Sequence, residues 1–444
     1  MSRHDADIIG VGFGPGNISL AVALRERYPH LRAIFLESRP GPTWQPGMLI
    51  DGSDIQNNPL RDLVTPANPR SRFSFINYLH ETGRFFSYLN LGLHYPLRKE
   101  YAAYVEWVAR NLDADVRYST KVTGIRRDVS HGGTGVVELA DGTELRAPVV
   151  VAAPGRTPYI PDAFADADDP RVVHFTHYNR ALERLEGMER PRVAVVGGSQ
   201  SAVELLLDLR SRLPHARVHG ILRTFGFRQK DTSPFMDHVY FPEFVDYYYS
   251  ASEASKRELN ADLRYTNYSA ADIDVVHELY LRLHEDRLDS REHTRVIGNT
   301  VIAACRPEPE AVGLSLTERH TGDTWELAAD LVILATGFRD LGSRAEGQEF
   351  LPPLLHSFEG CAQATESGRA AITRDYRLAM APEAGDAPQI YLNGLCESSH
   401  GMGDAGSFSL LALRAKEIAS SIATHLEKQA GDDNYTYLHT RKAQ

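Results

Sequence analysis

The sequence predicts an α/β protein made of two Rossmann-like dinucleotide-binding units with a small, mainly helical insert. Three observations carry this: a glycine-rich turn at residues 10–16, a second turn at 197–202, and a similar antiparallel segment leading to an apolar strand behind each. A strand that runs through such a turn into a helix is the opening of a βαβ nucleotide site.

In the first turn, Asp7-Ile8-Ile9 reads as a short buried strand. Gly10-Val11-Gly12-Phe13-Gly14-Pro15-Gly16-Asn17 follows, then a helical segment from Ile18 to Tyr28 closed by Pro29. The next apolar strand, Ala33-Ile34-Phe35-Leu36, ends at Glu37. That is about twenty residues past the glycines, where a carboxylate accepts hydrogen bonds from a ribose. Glycines let the backbone approach a pyrophosphate, and the helix N-terminus offers free N–H groups and a positive dipole end. Gly10, Gly12, Gly14, Pro15, Asn17 and Glu37 are the candidate contacts.

The plan recurs. Arg192-Val193-Ala194-Val195-Val196 is a strand, Gly197-Gly198-Ser199-Gln200-Ser201-Ala202 the turn, and Val203 to Leu213 a helix closed by Pro214. Val218 to Leu222 is the following strand, and it ends at Arg223 where the first half has Glu37. An arginine there suits a 2′-phosphate, hence NADP rather than NAD. Behind the first turn, a hairpin at Asp141-Gly142 leads to Val149-Val150-Val151-Ala152-Ala153-Pro154-Gly155. Behind the second, a hairpin at Thr321-Gly322-Asp323 leads to Leu331-Val332-Ile333-Leu334-Ala335-Thr336-Gly337. The architecture is therefore duplicated. A tyrosine-rich, mostly helical segment interrupts the second half and can shape a substrate pocket or serve packing. The expected divisions are 1–188 and 331–428 for the first unit, 189–233 and 291–330 for the second, 234–290 for the insert, and a flexible polar tail at 429–444.

The formal charge of -11 comes without a dense Lys/Arg run, which argues against a nucleic-acid partner. Cys305, Cys361 and Cys396 are far apart, so neither a thiol redox pair nor a cysteine metal site is expected, and a cytoplasmic location fits. No apolar run approaches the ~18 residues of a membrane span, and no signal peptide is expected at the N-terminus.

Two nucleotide folds in one chain imply that NADPH reduces FAD, after which the flavin needs an acceptor. With no cysteine pair, a disulfide is excluded; oxygen, a quinone or a ferredoxin remain. Further motifs bear on the choice. Trp44-Gln45-Pro46-Gly47-Met48, Leu60-Arg61-Asp62-Leu63-Val64, Ser74-Phe75-Ile76-Asn77-Tyr78-Leu79, Ser233-Pro234-Phe235, Thr266-Asn267-Tyr268-Ser269, Ala335-Thr336-Gly337-Phe338 and Ser399-His400-Gly401 occur in this order with the glycine turns. The chain thereby resembles the microbial N-hydroxylating flavin monooxygenases, the L-ornithine N5- and L-lysine N6-monooxygenases of siderophore biosynthesis, from about Asp7 to Ile422.

The resemblance implies FAD, NADPH, O2 and a primary amine as reactants, with NADP+ retained while a C4a-hydroperoxyflavin is attacked by the amine. It also implies a homo-oligomer, a tetramer or dimer. A free alkyl ammonium has a pKa of about 10.4, so the pocket has to favour the neutral amine. By resemblance, Gln56 and Asn267 are catalytic and Arg61, Asp237, Asn267 and Ser409 bind substrate. Trp44, Gln56, Thr336, Gly337 and His400 join the two turns as cofactor contacts. No metal is implied.

The departures bear on the substrate. Arg61 replaces a lysine that grips the substrate carboxylate, although pairing with neighbouring Asp62 is the plainer alternative. Asn58-Pro59 replaces Ser-Phe, Asp237 an asparagine, Gln45 a histidine, and Ser199 a glycine; the 403–409 stretch is one residue longer than usual. L-Ornithine, L-lysine, a diamine, or the α-amine of a short amino acid such as aspartate remain open. So do two other classes, a flavin oxidoreductase without oxygenation and a non-catalytic redox sensor.

Overall fold

The computed structural model describes residues 4–442 except 129, 131, 292 and 347; the side chains of residues 346 and 430–442 lie outside that description. The first sheet has five parallel strands in the order Gln389–Leu392, Val149–Ala152, Ile8–Val11, Ala33–Leu36 and Asp115–Arg117. Its central strands are apolar and buried on both faces, as a parallel sheet between helices requires. The helix Pro15–Arg27 makes the first crossover, and Pro15 at its start has no N–H to leave unpaired. The long helix Leu411–Lys442 packs beside it, and its backbone carries the helix through the segment expected to be a tail.

The second sheet repeats the arrangement: Thr294–Ile297, Arg217–Ile221, Arg192–Val196, Leu331–Leu334 and Val172–His174, all parallel. Two expected divisions move as a result. Val172–His174 pairs with Leu331–Leu334, and that strand pairs with Arg192–Val196, so both belong to the second fold rather than the first. The second fold is thus one continuous stretch set into the first.

The expected insert also shrinks. The helix Ile273–Leu288 leads into the parallel strand Thr294–Ile297 and packs on the helix Gln200–Arg212, where buried Asp286 pairs with Arg210. It is the crossover that parallel neighbours need. What remains of the insert is Met236–Tyr240, the helices Pro242–Ser250 and Glu253–Asp262, and the turn Arg264–Thr266.

Each half carries a three-stranded antiparallel sheet: Val122–Arg127, Gly135–Leu139, Glu144–Ala147 in one, and Thr300–Pro307, Val312–Glu318, Thr324–Ala329 in the other. The two linkers between the folds run antiparallel side by side. Pro158 faces Phe338, Tyr159 N–H donates to the Gly337 carbonyl at 3.0 Å, and Arg339 N–H donates to that of Thr157 at 2.7 Å.

Candidate active site

At the first turn, Gly12 has φ +83°, and a Cβ there would lie 2.3 Å from the Ala153 carbonyl oxygen. Gly14 caps the helix with ordinary φ, and a Cβ there would meet nothing within 4 Å. The open ground at this helix N-terminus is where an anion fits. Glu37 accepts from Phe13 N–H at 2.8 Å and Arg39 N–H at 2.9 Å, which ties the strand end to the turn. Two expected contacts have other roles. Gly10 is glycine because a Cβ would strike the Phe35 ring. Asn17 is fully buried; its amide donates to the Gly12 carbonyl at 2.7 Å and accepts from Asn393 at 3.0 Å, so it shapes the loop from behind. Asn393 is in turn held by Arg414, which pairs with buried Asp404 at 2.8 Å.

The second turn repeats the first in atomic detail. Gly197 has φ +153°, and its Cβ would lie 2.3 Å from the Ala335 carbonyl oxygen. Ser199 sits in extended backbone, so serine in place of glycine brings no strain. Gln200 accepts from Asp272 N–H at 2.8 Å and donates to Glu204 at 3.1 Å, and Ser201 lies in the first helical turn. A Cβ on Gly198 would lie 3.4 Å from the Thr224 hydroxyl, and Arg223 lies exposed beyond the strand end. Thr336 and Gly337 belong to the paired linkers: the Thr336 hydroxyl donates to the Tyr159 carbonyl at 2.5 Å, and His174 donates to that of Gly337 at 2.8 Å.

One loop, 403–409, brings together Arg61, Asn267 and Ser409 of the substrate candidates. The Ser409 hydroxyl lies 3.3 Å from an Arg61 guanidinium nitrogen and donates to the Asn57 side chain at 3.0 Å. Phe408 packs edge-on to Trp44 with ring centroids 5.2 Å apart. A Cβ on Gly406 would lie 2.8 Å from the Asn267 amide nitrogen and 2.7 Å from the Tyr268 hydroxyl. The Arg61–Asp62 pairing is not formed. Buried Asp62 instead accepts from the N–H groups of Val64, Thr65 and Phe75 and from the Thr65 hydroxyl. Among the described residues Arg61 has no carboxylate partner. The Tyr95 phenol marks where charges converge: burial pushes it up, Asp272, Asp237 and Asp54 add to that, and Arg61 opposes them.

Gln56 is held in left-handed backbone at φ +51°. Lys230 donates to its amide oxygen at 3.3 Å, and Asp272 lies 3.9 Å from the same ammonium. An ammonium only donates, so the amide oxygen has to face it, and the buried amide nitrogen on the other side has no partner. A bound ligand can supply that acceptor. A cleft beside the carboxyl end of the first sheet is lined by Gly155, Arg156, Asp340, Leu395 and Ala405. There Arg156 pairs with Asp340 and donates to the Tyr268 hydroxyl at 3.3 Å, and that hydroxyl donates to Glu397 at 2.5 Å. Burial, reinforced by Asp340, pushes the Glu397 carboxyl up to about 8 against the pull of Arg156.

His400 does not join this group. It is fully buried and stacked on Tyr376, with one ring nitrogen donating to the Arg374 carbonyl at 3.1 Å and the other 2.8 Å from the Ser399 hydroxyl. Burial lowers it to about 4, and this neutral histidine supports the loop rather than reaching a ligand. Asn57, Lys230, Arg156 and Glu397 were not singled out from the sequence. Asn57 lies beside Gln56, but lone charged residues such as Lys230 and Glu397 carry no motif.

Two dinucleotide folds joined by paired linkers, each with a glycine turn at a helix N-terminus, define a pyridine-nucleotide-dependent flavoprotein oxidoreductase, and the donors around Gly14, Gln56 and Arg223 fit FAD and NADPH. Residues 4–340 match the family model for L-lysine 6-monooxygenase/L-ornithine 5-monooxygenase, and the chain belongs to that family. It is 38% identical over 429 residues to L-ornithine N(5)-monooxygenase of Burkholderia cepacia, covering 94% of each chain. The ornithine N-hydroxylase of Kutzneria sp. 744, solved with reduced FAD, NADP+ and L-ornithine, superposes with TM-score 0.87 at 31% identity, over 95% of this chain and 99% of that one. L-Lysine 6-monooxygenase of Pseudomonas syringae gives 0.82 at 34%, over 94% and 99%. The protein is an FAD- and NADPH-dependent N-hydroxylating monooxygenase. Among the described residues no helix is long and apolar enough to cross a membrane.

Proposed function

We propose that the first fold holds FAD, the second holds NADPH, and the chain N-hydroxylates the side-chain amine of an α-amino acid of the ornithine or lysine kind, for a siderophore or related product. The observation that carries the substrate is Arg61: a half-buried guanidinium beside Ser409 with no carboxylate partner among the described residues. A substrate carboxylate completes it as a charge-assisted pair, bidentate where the fork allows. Asp237, felt with Arg61 at Tyr95 and Tyr240, suits the neighbouring α-ammonium.

Bound FAD, reduced by NADPH, supplies the activated oxygen. The chain's own task is to present an uncharged amine to it. Asn267 offers a neutral amide, which does not stabilise an ammonium as a carboxylate would. The Gln56 amide, oriented by Lys230, turns its N–H donors toward the ligand side. Gly14, Pro15, Glu37 and Trp44 serve FAD in this reading, and Gly198, Ser199, Ser201 and Arg223 serve NADPH. The enzyme works in the cytoplasm as a dimer or tetramer. The helix Phe85–Leu91 supports assembly, since it buries none of its residues and leaves Phe86 82% exposed.

The test is NADPH oxidation and hydroxylamine formation measured together over L-ornithine, L-lysine, putrescine, cadaverine and L-aspartate. Coupled turnover is expected with one of the two diamino acids. Coupled turnover only with a diamine, or only at the α-amine of aspartate, overturns the substrate reading.

A further inference from the structure

Arg223 lies exposed two residues past the strand Arg217–Ile221, and the carbonyl of that same residue accepts a hydrogen bond from the Arg319 guanidinium at 2.7 Å. Arg319 comes from a different element, the tight turn between Val312–Glu318 and Thr324–Ala329. Its backbone is fixed there: Arg319 N–H donates to the Asn299 carbonyl at 2.8 Å, and Asn299 N–H donates to that of Thr224 at 2.8 Å. The neighbouring Glu318 carboxylate does not neutralise it but accepts from the N–H groups of His320 at 2.6 Å and Thr321 at 2.5 Å. Other arginines near the ends of these strands are paired, Arg192 with Asp330 and Arg171 with Asp169. Among the described residues neither Arg223 nor Arg319 has a carboxylate within ion-pair distance. The Arg319 guanidinium is thus held against the backbone of Arg223, neither arginine has a counter-charge among the described residues, and a guanidinium that donates once keeps four further N–H donors.

We propose that Arg319 is a second anchor for the 2′-phosphate of NADPH, supplied by the antiparallel sheet rather than by the nucleotide fold. The inference rests on the reading that the second fold takes NADPH with Arg223 at that phosphate. A phosphate dianion between two arginines is charge-compensated from two sides, and discrimination against NADH is shared between them.

The experiment compares KM for NADPH and NADH, and the Kd for adenosine 2′,5′-bisphosphate from titration calorimetry without turnover, in FAD-loaded wild type, Arg223→Ala, Arg319→Ala and Arg319→Gln. The glutamine variant keeps an N–H donor for the Arg223 carbonyl and removes only the charge. Both Arg319 variants should raise KM for NADPH about tenfold. They should weaken the bisphosphate similarly and leave KM for NADH and kcat at saturating NADPH within about twofold. If Arg319→Gln keeps the wild-type preference, or raises both KM values equally, Arg319 only props the turn. With Arg223→Ala still selective against NADPH, that result removes the inference and leaves the reading of the second fold intact. If Arg223→Ala is unselective as well, the reading falls with it.

Discussion

A methyl group added at Gly12 would lie 2.3 Å from the Ala153 carbonyl oxygen, whereas one at Gly14 would meet nothing within 4 Å. The spacing of glycines alone assigns both to the pyrophosphate; the structure divides their work. Gly12→Ala forces a positive φ on alanine, at a cost of about 1–3 kcal/mol, and so lowers the thermal midpoint of the flavin-free protein. Gly14→Ala should fold as wild type, because a Cβ there meets no protein atom, and should lose FAD if the cofactor binds at this turn. Equal melting of the two apo variants would contradict this division. Arg61 and Asp62 separate in the same way. Arg61→Ala should leave stability unchanged and cut kcat/KM for the amino acid by about 3 kcal/mol, roughly a hundredfold, the low end of losing one partner of a buried pair, while NADPH still reduces the flavin. Asp62→Ala leaves three backbone N–H groups unpaired and should destabilise by about 3 kcal/mol or more. The glycines were legible because backbone sterics dictate them. The alternative that Asp62 pairs with Arg61 could not be dismissed from the sequence, because its acceptors face the folded loop 62–75, which neighbours in sequence do not reveal.

The helix–turn elements of the insert meet the first fold through Tyr268, Arg156 and Glu397, and this junction titrates. The folded Glu397 carboxyl holds its proton up to about 8, against an ordinary 4.5. Its protonated form therefore favours the fold. That contribution is complete below the unfolded value and is lost as pH rises through about 8. Glu397→Gln is neutral throughout, so the wild-type melting temperature should fall relative to the variant between about pH 5 and 8. A pH-independent difference would mean that the carboxyl is ionised in the fold. The helices themselves were legible from periodicity, yet their allegiance was not. Ile273–Leu288 reads equally well as insert or crossover until its pairing with Gln200–Arg212 and the parallel strand after it are seen.

Across the whole molecule, the duplication inferred from the sequence extends to the order of four strands in each sheet, the fifth following them in the first fold and preceding them in the second, and to the same 2.3 Å approach at Gly12 and Gly197. The strand boundaries at 172 and 331 were not legible, because an apolar strand fits either sheet and only pairing assigns it. Arg98 on the first fold pairs with Glu204 on the second at 3.0 Å, with side chains only 12% and 4% exposed. Arg98→Met should leave FAD content unchanged and slow flavin reduction by NADPH about tenfold or more, since small misplacements of reacting groups are costly. Anaerobic stopped-flow absorbance measures this, and an unchanged rate would show that the pair does not set the relative placement of the folds.

The antiparallel pairing of the two linkers at Pro158 and Phe338 brings the two ends of the stretch 160–336 together at one seam. Excision there leaves ends that already lie across a ladder, so a two-residue Asn-Gly turn can rejoin them. The shortened protein would keep the FAD turn and lose the coenzyme half, giving a flavoprotein reducible by light or dithionite but deaf to NADPH. The same seam would accept a nicotinamide cassette from another member of the family, so coenzyme preference becomes a property that can be transplanted whole.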